Sequence, residues 1–165
     1  MSILTKKAIL SGITFLGFGL YFLLQQYNVQ FFDGLYTWPT LIIILGVGFI
    51  TQAYKQKDYE FILPGVVLTG IGIHFHVIHK FELFQDHAGV FLLLVSVGLL
   101  LTYIKTGSGF MLGLLFLIAA TLLLFFDRLT QWAAAKGYDL SVVENFWPIF
   151  FIGVGLYFLF LQRKK

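Results

Sequence analysis

Cysteine is absent from this chain, which removes disulfides, thiolate metal centres and thiol nucleophiles together. Charge is also scarce. Only 12% of the 165 residues are charged, 59% are hydrophobic, and mean hydropathy is +0.89. A soluble domain of this size lacks the polar residues to cover such a surface. No lysine, arginine, aspartate or glutamate lies mid-way along any long apolar stretch. Proton pumps, ion-coupled carriers and intramembrane proteases usually need ionisable groups at that depth. There is no His-Glu-x-x-His, no paired carboxylates on one helix face and no credible Ser/His/Asp set. The Gly-x-Gly pairs follow no strand, so they are not nucleotide motifs. The reading is a non-enzyme with no cofactor. The net charge of +3 does not indicate nucleic acid, because topology accounts for the basic residues.

What the chain does have is six apolar stretches, Ala8–Tyr27, Trp38–Tyr54, Phe61–Ile78, Ala88–Ile104, Gly109–Phe126 and Phe146–Leu161. Each approaches the length needed to cross a hydrocarbon core of about 30 Å. They are apolar on all faces, unlike the alternating strands of a membrane barrel. The fold class expected is all-α: a polytopic membrane protein of about six transmembrane helices, with the lipid bilayer as its partner. The first stretch is too long for a signal-peptide core. Gln25-Gln26-Tyr27 stands where a cleavage site would lie, so it is read as a retained helix.

With the N-terminus inside, the inner segments hold Lys6, Lys7, Lys55, Lys57, Lys105, Arg163, Lys164 and Lys165, against Lys80, Arg128 and Lys136 outside. The positive-inside rule therefore places both termini in the cytoplasm. Short inner connections (55–60, 105–108) and longer outer ones (28–37, 79–89, 127–145) suggest three helical hairpins with their tips outside. These read as candidate repeats, 1–57, 58–106 and 107–165, of a single domain. First helices carry Gly12, Gly17 and Gly19, then Gly65, Gly70 and Gly72, then Gly113, Ile118 and Ala120. Second helices carry Gly46 and Gly48, Ser96 and Gly98, Gly153 and Gly155. Small residues let helix backbones approach where lipid offers no hydrophobic drive. Thr14, Thr69, Ser96, Thr102 and Thr121 are read as packing or backbone-bonding hydroxyls. In the last outer loop, Leu129, Trp132 and Ala133 share a face of an expected interfacial helix ended by Gly137.

Two second helices begin Trp-Pro, at Trp38-Pro39 and Trp147-Pro148, where proline's missing N–H is harmless. In Trp38–Gly48 and Phe146–Gly155, this start combined with Gly-x-Gly resembles the LiaI/LiaF-like transmembrane-region family of small bacterial membrane proteins. The resemblance implies a part in the cell-envelope stress response, as membrane anchor or as regulator of a sensor kinase. The soluble domain of the regulator type does not follow here. The implied role is then an anchor, scaffold or accessory subunit with a membrane protein partner. A small-solute or lipid carrier is the alternative, since many transporters are built from repeats.

One polar cluster is a candidate ligand set: His76 and His79, neighbours on a helix face, with His87 across the loop. Such imidazoles could bind zinc, copper or haem. The plainer reading, which we adopt, is interfacial histidines bonded to water, headgroups or loop carbonyls. His74 lies deeper, and is read as bonded to a neighbouring helix.

Overall fold

The computed structural model describes residues 3–81 and 87–136, with 149, 152, 153 and 155–157 beyond them. The described residues are helical with no strand. The helices are α1 (Ile3–Gln26), α2 (Trp38–Gln56), a 3₁₀ turn at Tyr59–Phe61, α3 (Ile62–Phe81), α4 (His87–Thr106), α5 (Phe110–Leu124) and α6 (Phe126–Ala135). The chain divides into two compact units, Met1–Leu124 and Phe125–Lys165.

Five of the six expected apolar stretches thus coincide with helices α1 to α5. The sixth, 146–161, lies mostly outside the described residues, as do the carboxylates Glu82, Asp86, Asp139 and Glu144, the Trp147-Pro148 start and Gly137. Three described segments are long and apolar enough to cross a membrane: Ile9–Gln26, Tyr59–Ile78 and Ala88–Thr106. A fourth arises if α5 and the helix after it count as one broken span. α2 runs for 19 residues, but Trp-Pro-Thr and Gln-Ala-Tyr-Lys-Gln at its ends dilute an apolar centre at Leu41–Ile50. α5 is 15 residues, about 22 Å at 1.5 Å per residue, shorter than the stretch read from the sequence.

Helix boundaries follow local chemistry. α2 opens with Pro39 in its first turn, where φ is already helical, after an extended Thr37 (φ −124°, ψ 164°). It closes at Lys57, whose φ of 55° is left-handed, and the chain turns directly into Tyr59–Phe61. Between α4 and α5, Gly107 and Gly109 take φ of 75° and 97°, a region open to glycine at no steric cost.

The unit Met1–Leu124 is a row of helices. α1 packs on α2, α2 on α3, α3 on α4 and α4 on α5, with no other contact between these five helices. Paired positions run in opposite directions along each neighbour: Gly17 meets Ile44 while Gly48 meets Leu10 and Thr14, and Gly65 meets Ile50 while Gly72 meets Ile43. Every adjacent pair is therefore antiparallel, as short connections require. The remaining faces are apolar and open, with Phe15, Leu16 and Phe22 on α1 and Met111, Ile118 and Leu122 on α5 all exposed. In water this would be untenable; against lipid tails it costs nothing.

In the second unit, α6 forms over the stretch where a short helix was expected. Ala133 is buried while Leu129 and Trp132 are exposed, so the shared face is only partly covered. The helix begins at Phe126, which the sequence assigned to the end of the preceding span.

Candidate functional site

Two features concentrate the non-random chemistry: a ring-lined cap over one end of the row, and the glycine seams between helices.

The cap is built by residues 27–37. Asn28 (φ 54°) and Gly34 (φ 88°) turn the chain back with left-handed backbone, which Asn tolerates better than other non-glycine residues. Tyr36 stands edge-on to the buried Tyr21 of α1, with centroids 5.6 Å apart, and its hydroxyl donates to the Val29 carbonyl. Thr37 donates to the Gly34 carbonyl at 2.6 Å. Thr40, in the first turn of α2, donates to the Leu35 carbonyl at 2.6 Å and lies 2.9 Å from His76 Nε2. A hydroxyl has one hydrogen, and here it goes to Leu35. Nε2 of His76 must therefore carry its own hydrogen and donate to Thr40. Phe32 packs edge-on against the same imidazole at 5.6 Å.

The structure thus places His76 in a bond tying α3 to α2 and to the cap, a role for which Thr40 was the missing signal. The His79 and His87 side chains lie outside the described residues. Among the described residues no group of three or more His, Cys, Asp or Glu could hold a metal ion. His74 is buried, edge-on to Phe75 and to Phe91 of α4 at 5.7 and 5.8 Å. Trp38 packs on Phe75 of α3 at 4.6 Å.

The seams explain why glycines come in Gly-x-Gly pairs. Two residues on, a helix has turned about 200°, so such a pair clears opposite sides of one helix. In α2, a Cβ at Gly46 would stand 2.6 Å from the Thr69 amide nitrogen of α3, and one at Gly48 3.1 Å from Leu10 of α1. In α3, Gly70 faces Leu94 of α4 while Gly72 faces Ile43 and the Pro39 carbonyl of α2. In α4, Gly98 faces Leu63 of α3, and Ser96 donates to the Gly113 carbonyl of α5 at 2.9 Å. A helix with one neighbour on each side needs two narrow faces, and these pairs supply them.

The hydroxyls behave as expected in part. Thr102 and Thr121 bond back to Gly98 and Leu117 at 2.8 Å. The hydroxyls of Thr14 and Thr69 are buried beside α2 with no hydrogen-bond partner among the described residues. Gln52 was not anticipated. It is 1% exposed and its Oε1 accepts from the Leu10 amide at 3.2 Å. A glutamine inside an apolar run was the available signal, since burial without a partner is costly.

The hairpin α1–α2 decides the comparison with known proteins. Residues 9–50 match the LiaI-LiaF-like transmembrane region. The match runs from the first turns of α1 to Ile50, and so covers the Trp-Pro start, Gly46 and Gly48 of that hairpin. The chain is also 26% identical to YsxD, an uncharacterized membrane protein of Bacillus subtilis (strain 168), over 97% of each chain. No solved structure matches it. Beyond its LiaI-LiaF-like hairpin, the chain is a membrane protein with several apolar helices.

Proposed function

We propose that this chain is a small multi-pass protein of the bacterial plasma membrane that acts through other proteins, as an anchor, scaffold or accessory subunit. Cell-envelope stress is the setting that the LiaI-LiaF-like hairpin suggests. The observation carrying this reading is how the polar groups between the helices are used. Gln52 binds the α1 backbone, Ser96 the α5 backbone, and His76 the α2 start. Each joins one helix to another, and glycines bring the α2 and α3 backbones together at mid-length. Such an interior supports a rigid partner-binding body better than a reaction centre or a passage. Both termini are cytoplasmic in this reading, from the lysine and arginine distribution.

A second reading, a small-solute or lipid carrier, draws on Thr14 and Thr69, whose buried hydroxyls have no partner among the described residues. Purification from a bacterial membrane in mild detergent, with mass spectrometry of what co-purifies, separates the two. A stoichiometric protein supports the scaffold. A stoichiometric lipid or solute, lost on Thr14→Val and Thr69→Val, overturns it in favour of the carrier.

A further inference from the structure

The outward side of α6 is not the face that residue spacing suggested. Ala133 is covered, at 3% exposure, while Phe125, Leu129 and Trp132 are 51%, 40% and 64% exposed. These three stand at i, i+4 and i+7, within about 60° of one another round the helix. Arg128 and Lys136 are both exposed. They border the stripe, Arg128 four residues before Trp132 and Lys136 four after it. Asp127, the carboxylate of α6, is two residues on from Phe125 and so about 200° round from it. The outward side is thus apolar along its centre and cationic towards both ends.

Size, charge and place in the chain point to what covers this stripe. Three side chains over about 10 Å of helix fall far short of the ~800 Å² per partner of a standard protein interface. A single residue, Phe125, separates α6 from α5, and α5 leaves Met111, Ile118 and Leu122 exposed along its length. The start of α6 therefore lies at the end of a helix whose open faces suit lipid. It does not continue into hydrocarbon, because Asp127, Arg128 and Gln131 in its first two turns are costly there. A short amphipathic helix so placed lies in the plane of the interface, with its apolar side at the acyl boundary. Arginine and lysine beside that side keep their charged heads in the headgroup layer.

We propose that α6 binds anionic phospholipid. Phe125, Leu129 and Trp132 enter the headgroup–acyl boundary, and Arg128 and Lys136 hold the phosphates of anionic headgroups. Each cation near a negative membrane surface strengthens the hold about fivefold, and added salt weakens it by screening. The charge of the leaflet thereby acts on this helix, while the glycine seams of the row are indifferent to it. This goes beyond the scaffold reading and does not depend on it.

The cysteine-free chain accepts a single spin label in the full protein. The protein is reconstituted in vesicles of phosphatidylglycerol mixed with phosphatidylcholine, or of phosphatidylcholine alone. Collision with oxygen, which concentrates in hydrocarbon, and with a water-soluble nickel chelate on both sides of the membrane reports depth. In the mixed vesicles a label at Leu129→Cys should meet oxygen, and one at Ala134→Cys, opposite the stripe, should meet nickel. Phe125→Cys should repeat the Leu129 result, which guards against a local effect of the label. Glutamine at both Arg128 and Lys136 should lower the ratio of sunk to lifted Leu129 label about 25-fold. Phosphatidylcholine alone should lower it comparably in the parent, and Arg128→Lys should preserve it. Four results would overturn the proposal. Nickel contact at both 125 and 129 would put the stripe in water. Oxygen contact at both 129 and 134 would make α6 part of a span. A Leu129 label shielded from both reagents would mean a protein neighbour. A label sunk equally in both lipid mixtures and in the glutamine variant would mean that headgroup charge plays no part.

Discussion

Alanine at Gly46 and alanine at Gly12 differ by one methyl each, yet the structure assigns them opposite signs. At Gly46 the new Cβ would meet the Thr69 side chain, lie 2.6 Å from the Thr69 amide nitrogen and 3.0 Å from the Gly65 carbonyl oxygen. The last two atoms are backbone, so no rotamer change relieves them. Relaxation to ordinary contact at roughly 3.5–4.0 Å requires α2 and α3 to part by about 1 Å. A gap of that size forfeits a quarter to a half of each dispersion contact across the seam. Overpacking of this kind costs about 1–3 kcal/mol. Alanine's better helix propensity returns about 0.5–1 kcal/mol at most. Gly46→Ala should therefore be destabilising by about 1–2 kcal/mol. At Gly12 nothing among the described residues lies within 4 Å, so the propensity gain acts alone, and Gly12→Ala should be neutral or slightly stabilising. Denaturant titration of the monomer in mixed micelles, followed by tryptophan fluorescence, measures both. Equal effects at the two positions, or a Gly46→Ala protein as stable as the parent, would refute the backbone seam.

Other expectations follow from the same contacts. Ser96→Ala removes one interhelical hydrogen bond to Gly113 and should cost about 0.6 kcal/mol, the average for such bonds in membrane proteins. Thr69→Val replaces a buried hydroxyl that has no partner among the described residues with a methyl, and should be neutral or stabilising by up to about 1 kcal/mol in the same titration. For the topology, cysteine at Tyr59 should be labelled only after the membrane is permeabilised, and cysteine at Gly137 in intact cells; surface labelling at position 59 would reverse the N-inside assignment. Tag-free protein should contain no stoichiometric zinc or copper by elemental analysis. His76→Ala should instead loosen the cap over α2, seen as faster proteolysis of the 27–37 loop. A one-to-one metal lost on His76→Ala would reverse that assignment.

Hydropathy alone identified the helical class and five described helices, with ends shifted by a few residues. The reason is solvation: in hydrocarbon a backbone must satisfy its own hydrogen bonds, so an uninterrupted apolar run has few structures available. α6 was legible through the spacing of Leu129, Trp132 and Ala133. The packing value of Gly17, Gly46, Gly65 and Gly70 was legible as well, because small residues in spans have a restricted set of uses. Which glycines face a helix was not. Gly12 and Gly65 look alike in sequence, since lipid and a neighbouring helix are equally apolar and leave the same pattern on both faces. Only the order of helices in the row separates them. The same limit applies to His76. Its spacing from His79 suggests a ligand set, but the hydroxyl that binds it is 36 residues away, at the start of α2. Antiparallel pairing of α2 with α3 brings Thr40 to that imidazole, and no local pattern records such a meeting.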